Sequence, residues 1–314
     1  MDAGHGGVLS APGSVVVAPI RRPRRRVRLG RWEPLVWIAP ALLVVLFVFG
    51  YSIVELVRQS LEHKGKWVGL ENFRLTVTDP TFQHALEHNA RLLIAVPVLV
   101  LSALLLAVLL FEGLRGWRFH RAMVFLPYVL PIPVVAVIFG QLLQLNGLLN
   151  QALRGLDLGA IAFDWLGDPG WALWAMTGVV VWKELGFGVI LFLARLLSLP
   201  AETFEAARID GARFWRLHRW VTVPQLGSVI AFYVVVEAIT MVSWVFNYVY
   251  VISNGTGGPG DATQVTELYI YQTDFQYSAP DLAAAAAVIL FAATLVLIGF
   301  FFRIQRRTVG ATVE

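Results

Sequence analysis

The sequence predicts an all-α integral membrane protein of six transmembrane helices with both termini in the cytoplasm. Three observations carry this. The 314 residues are 57% hydrophobic and 15% charged, with mean hydropathy +0.67, where soluble domains run near 45–50% and about 25%. The apolar excess is gathered into six blocks, each close to the roughly 20 residues that cross a bilayer. Basic residues favour alternate connections, which sets orientation. The composition argues against a disordered chain. The absence of cysteine excludes disulfide scaffolds, thiolate metal sites and cysteine nucleophiles.

The chain divides into a basic tail (1–33), a transmembrane domain (34–304) and a short tail (305–314). The first tail holds seven arginines. They are read as a topology signal beside anionic membrane lipid, with no nucleic acid as partner. The first 20 residues are expected to be disordered. The first span covers about 34–57. It is too long for a simple signal-peptide core and is expected to remain as an uncleaved anchor.

The second span covers about 90–111 and the third about 122–145. Pro127, Pro131 and Pro133 lie in the third. Proline removes a backbone donor, so this helix is expected to kink or break. The fourth span covers about 172–197, the fifth 226–252 and the sixth 282–302. The tails and the 112–121 and 195–222 loops together hold eighteen arginines; the opposite side has five Lys or Arg. The more basic side is the cytoplasmic face.

Three ionisable residues fall deep within spans: Lys183 and Glu184 in the fourth, Glu237 in the fifth. Each costs about 2.5–3.5 kcal/mol to insert. Neighbours on a helix do not share a face, so Lys183 and Glu184 are expected in different environments. Two readings stand: one of the three lines a polar path, or Lys183 pairs with Glu237 and ties helices together. At the outer end of the fifth span, Trp244, Phe246, Asn247, Tyr248 and Tyr250 crowd together. They suit an interfacial belt. They also suit a sugar-facing wall, with aromatic faces against ring C–H groups and an amide for hydroxyls.

No ATP-binding P-loop is present: Gly65-Lys66 is followed by Trp67 and lacks the upstream glycine. The segment His84-Ala85-Leu86-Glu87-His88 fits the H-x-x-E-H zinc-protease pattern, but no third ligand is evident. A surface helix is preferred, with no metal and no catalytic residues.

Between the fourth and fifth spans, residues 198–224 read as a helix–turn–helix on the cytoplasmic face. Proline suits the first turn of a helix, and residues 200–209 are good helix formers. Gly211 breaks the chain, a second helix covers 212–219, and Pro224 opens the fifth span. Within it, Glu205-Ala206-Ala207, then Gly211, then Val221-x-Val223-Pro224 keep the spacing EAA, three residues, Gly, nine residues, aliphatic-x-aliphatic-Pro.

That segment resembles the EAA loop of ABC importer permeases, in particular the sugar or maltose type. The likeness extends over most of 35–307. It includes Val68-Gly69-Leu70-Glu71-Asn72-Phe73, Asp79-Pro80, Phe125-Leu126-Pro127, Tyr248-Val249-Tyr250-Val251, Gly257-Gly258-Pro259-Gly260, Ala262-Thr263 and Tyr269-Ile270-Tyr271. Many members carry Phe-Asp where this chain has Phe246-Asn247. The resemblance implies a non-catalytic permease subunit of a bacterial plasma membrane importer. It implies coupling through Glu205, Ala206, Ala207, Gly211 and Pro224 to a separate ATPase. The implied partners are two ATPase subunits, a second homologous permease and an extracytoplasmic substrate-binding protein. ATP and Mg would be bound by the ATPases and no cofactor by this chain. The implied cargo is a sugar or related polyol. The candidates for its path are Lys183, Glu184, Glu237, Trp244, Asn247, Tyr248 and Tyr250. The competing expectation is an ion-coupled secondary transporter using the buried charges, which leaves the EAA loop without a purpose.

Overall fold

The computed structural model describes residues 33–113 and 116–310. The basic tail, all but Glu33, lies outside the described residues, as do 311–314. The chain divides into two compact units, Met1–Tyr51 and Ser52–Glu314. In the first, α1 (Glu33–Val45) passes into a π turn, Leu46–Gly50, and its apolar side chains, Leu43 and Phe47 among them, are exposed.

α2 (Tyr51–Ser60) leads to a two-residue hairpin, β1 (Glu62–His63) and β2 (Lys66–Trp67), paired antiparallel with Glu62 opposite Trp67. Next come α3 (Glu71–Thr78) and α4 (Pro80–Leu92). Asp79 caps α4: its Oδ1 accepts from the Thr81 N–H at 2.8 Å, and Pro80 fills the first turn, where no donor is needed. After a short break α5 (Ala95–Phe111) continues in the same direction, so the span begins ten residues before the expected 90.

The third span is broken, for the reason its prolines give. α6 (Trp117–Val129) and α7 (Ile132–Leu142) meet at 99°. Leu130 and Pro131 between them are extended, at ψ 138° and 136°. α8 (Leu148–Gly155) follows, and then α9 (Ala172–Leu197), whose packed face holds Leu173, Val180, Val189, Phe192 and Leu196. At Gly186 a Cβ would fall 2.7 Å from the Val124 carbonyl oxygen, so α9 and α6 approach too closely for any side chain there.

α10 (Ala201–Ile209) and α11 (Phe214–Leu217) form the helix–turn–helix. α11 runs on through a π turn, His218–Thr222, into α12 (Val223–Gln225). The chain then bends by 72° into α13 (Gly227–Ser243). Pro224 therefore lies before the bend, in the arm that ends with α12, and α13 begins at Gly227. The helix expected over 226–252 is divided: α13 stops at Ser243, and 246–252 form a separate helix, α14 (Phe246–Ile252). α15 (Thr266–Tyr271) and a π turn, Gln272–Gln276, precede α16 (Pro280–Gly310), which continues well past the expected end of the sixth span at 302.

Among the described residues, three helices are long and apolar enough to cross a membrane, at 37–60, 80–111 and 280–303; there are up to five if each bent pair is one span. The expected fourth span, α9, is outside that set. Its 26 residues carry Lys183 and Glu184 buried in the middle.

Candidate functional site

Two sites matter, one within the bundle and one on its rim. The first is a cavity of about 330 Å³ lined by Tyr128, Ile132, Lys183, Glu184, Thr240, Trp244 and Tyr248. The broken third span explains its chemistry. Where the chain leaves α6, the Tyr128 carbonyl has no helical donor, and the Lys183 ammonium donates to it at 3.4 Å. Lys183 Nζ also lies 5.2 Å from the centre of the Tyr128 ring. Its carboxylate partner is Glu184, at 3.5 Å. Tyr248 Oη donates to Glu184 Oε1 at 2.9 Å.

This corrects two sequence expectations. Lys183 and Glu184 share one environment, because their flexible side chains converge from adjacent positions on the same cavity. Lys183 is paired with Glu184, not Glu237. Glu237 is buried about two turns before the end of α13, and its Oε2 has no hydrogen-bond partner. Of the seven sequence candidates, the structure brings together Lys183, Glu184, Trp244 and Tyr248. Asn247 is exposed and outside the lining. Tyr250 belongs instead to an aromatic cluster with Phe246 and Tyr271, at ring separations of 5.3 and 5.2 Å. Sequence reasoning missed Tyr128 and Thr240. Tyr128 had a signal, since it sits beside the prolines that free its carbonyl; Thr240 had none.

The cavity wall is held from α15. Glu267 Oε2 accepts from the Phe246 N–H at 2.8 Å and so caps α14. Burial pushes the Glu267 carboxyl up to about 7, although the backbone N–H groups of Phe246 and Val245 pull the other way. The zinc-like segment serves packing. His88 Nδ1 donates to the Gln264 carbonyl at 2.8 Å, and Glu87 pairs with Arg91 at 2.6 Å. Among the described residues no group of three or more potential ligands could hold a metal ion.

The second site is the turn between α10 and α11. Gly211 has φ +80°, the left-handed region that favours glycine. Glu205, Ala206 and Pro224 are exposed and Ala207 half-buried. Ile209, between the motif's alanines and its glycine, is 86% exposed, and Trp215 is 74% exposed. Phe204 and Leu217 face inward and anchor the two helices.

The sequence profile of the family described as "Binding-protein-dependent transport system inner membrane component" matches residues 77–310. The chain belongs to this family. It is a membrane-embedded permease of the ABC sugar-transport type. The lactose transport system permease protein LacF of Rhizobium radiobacter is 30% identical over 86% of this chain and 94% of its own length. The diacetylchitobiose uptake system permease protein NgcF of Streptomyces coelicolor is 34% identical over 79% of this chain and 73% of its own. Among solved structures, a chain of a bacterial ABC transporter that imports the acidic polysaccharide alginate superimposes with TM-score 0.77. It is 23% identical, over 88% of this chain and 96% of that one, so the likeness is one of fold. The same fold occurs, again with TM-score 0.77, in the alginate transporter in complex with its pentasaccharide-bound periplasmic protein.

Proposed function

We propose that this chain is one of two permease subunits of an ATP-driven importer that moves a carbohydrate or related polyol inward across a bacterial plasma membrane. The observation that carries the reading is the exposed turn at Gly211. It presents the EAA residues together with exposed Ile209 and Trp215, as a surface destined for another protein would. The occupant is a separate ATPase that binds ATP and Mg. Its closure moves α10 as a rigid body, and the bundle alternates between inward- and outward-facing packings. Glu205 supplies a polar anchor and Gly211 the turn. The partners also include a second permease and an extracytoplasmic binding protein that delivers the cargo.

In this reading the bundle has six spans, with α9 as the one enclosed by the others and both termini in the cytoplasm. The cavity of Lys183, Glu184, Trp244 and Tyr248 lies on the cargo path. It combines a cation, an anion, a hydroxyl and an indole face, a set that suits a hydroxylated ring. Two relatives named for lactose and diacetylchitobiose transport support a sugar cargo.

The test is uptake by the reconstituted complex with its binding protein. Gly211→Asp is expected to cut ATP-dependent uptake by about tenfold or more, the scale of a lost inter-site coupling, with membrane insertion intact. Wild-type uptake by that variant, or uptake driven by an ion gradient without any ATPase bound, would overturn the reading.

A further inference from the structure

α5 ends at Phe111, and the next residue, Glu112, forms its C-terminal cap. A carboxylate there faces the negative end of the helix dipole, so local structure disfavours it. Its partners come from far along the chain. Arg208, in the last turn of α10, places Nη2 3.0 Å from both carboxylate oxygens. His218 Nε2, buried in the π turn after α11, lies 3.3 Å from Oε1 and has no hydrogen-bond partner of its own. The His218 ring is held from its other nitrogen, Nδ1, 2.9 Å from Thr222 Oγ1. One carboxylate thus meets both arms of the helix–turn–helix.

The contact continues into the core. Phe204 lies one turn before Arg208 on α10, and its ring packs against that of Phe111 at 5.1 Å. One face of α10 is therefore committed to the end of α5, first by an aromatic pair and then by an ion pair. Glu205, one position on from Phe204, is exposed and free for a partner.

We propose that Glu112 is a positioning residue for coupling: it clamps the EAA helix–turn–helix to the inner end of α5. The inference rests on the coupling reading above and names the route by which motion of α10 enters the bundle. Arg208 is half exposed, and exposed pairs add little to stability. The contribution of the clamp is geometric. Without it, α10 turns about Phe204 and its displacement is absorbed in the loop.

The experiment uses the full importer complex in proteoliposomes and reads solute moved per ATP hydrolysed. Glu112→Arg, which sets a second positive charge beside Arg208 where the carboxylate stood, is expected to lower that ratio about tenfold. The melting temperature is expected to hold. The exchanged pair, Glu112→Arg with Arg208→Glu, is expected to recover most of the ratio at an unchanged melting temperature, whereas a merely structural pair would show its loss and recovery in the melting temperature. Should Glu112→Arg fail to accumulate, Glu112→Gln carries the test, since it keeps the shape and removes the charge. A wild-type ratio in the Glu112 variants, or a double variant no better than the singles, would overturn the clamp. If Gly211→Asp abolishes uptake while the Glu112 variants transport normally, only the clamp fails. If no ATPase binds the wild-type chain, the coupling reading fails with it.

Discussion

The segments around α4, α14 and α15 and the turn between α10 and α11 are built on opposite principles. In the first, buried polar side chains take over the backbone groups left open by short helices. Asn89 is the hub: its Nδ2 donates to the Met241 and Val242 carbonyls at 3.3 and 3.1 Å, and its Oδ1 accepts from the Thr266 N–H and hydroxyl at 2.8 and 2.9 Å. Gln264 Nε2 donates to Gln272 Oε1 at 2.7 Å, and Gln272 Nε2 to the Gly255 carbonyl at 2.8 Å. Tyr269 Oη reaches the Asp79 cap at 2.8 Å. The α10–α11 turn has two buried apolar anchors, one ion-pair cluster and a row of exposed residues. The lesson is that an irregular segment is rigid where its backbone is satisfied from within and available where side chains are left without partners.

Three substitutions test that contrast. The largest effect is expected at Asn89. Asn89→Leu keeps the bulk but strands two carbonyls and the Thr266 donor in a buried site. It should destabilise the protein by about 3 kcal/mol, since each orphaned buried group costs about 1–3 kcal/mol. Thermal unfolding in detergent measures this; a shift under ~0.5 kcal/mol would break the comparison.

The next effect is one of pH. The folded-state carboxyl of Glu267 sits near 7, above its ordinary 4.5. The folded state therefore holds the proton longer than the unfolded one, and stability falls as pH rises from about 4.5 to about 7. The linked loss is roughly 2–3 kcal/mol. Glu267→Gln should flatten that part of the pH–stability profile, and an unchanged slope would remove Glu267 as its source.

The smallest effect on stability is expected at the turn. Ile209→Ser should change the melting free energy by less than ~0.5 kcal/mol yet weaken co-purification of the ATPase. A loss as large as that of Asn89→Leu would show that Ile209 is internal packing and not a contact surface.

Much of the fold was legible because its signals are local. The apolar blocks give α5 and α16. The prolines at 127, 131 and 133 give the break between α6 and α7. The helix formers at 201–209 followed by Gly211 give the turn. What went astray depended on neighbours. An apolar run from 226 to 252 reads as one span, yet Glu267, some twenty residues on, caps a second helix within it. Hydropathy cannot register a cap supplied by tertiary contact. The expectation for Lys183 failed similarly: helix geometry separates adjacent side chains, but it does not show where a freed carbonyl and a tyrosine hydroxyl will draw them together.

The sequence by itself determined that this chain lives in a membrane, which segments are helical and which loop carries the EAA motif. Composition, periodicity and residue spacing are properties of the chain alone. The tertiary structure decided which charges meet. It paired Lys183 with Glu184 beside the Tyr128 carbonyl and left one Glu237 oxygen without a hydrogen-bond partner, and it brought Arg208 and His218 to Glu112. Charge pairing acts over a few ångströms, and residues a hundred positions apart are placed at that range only by packing.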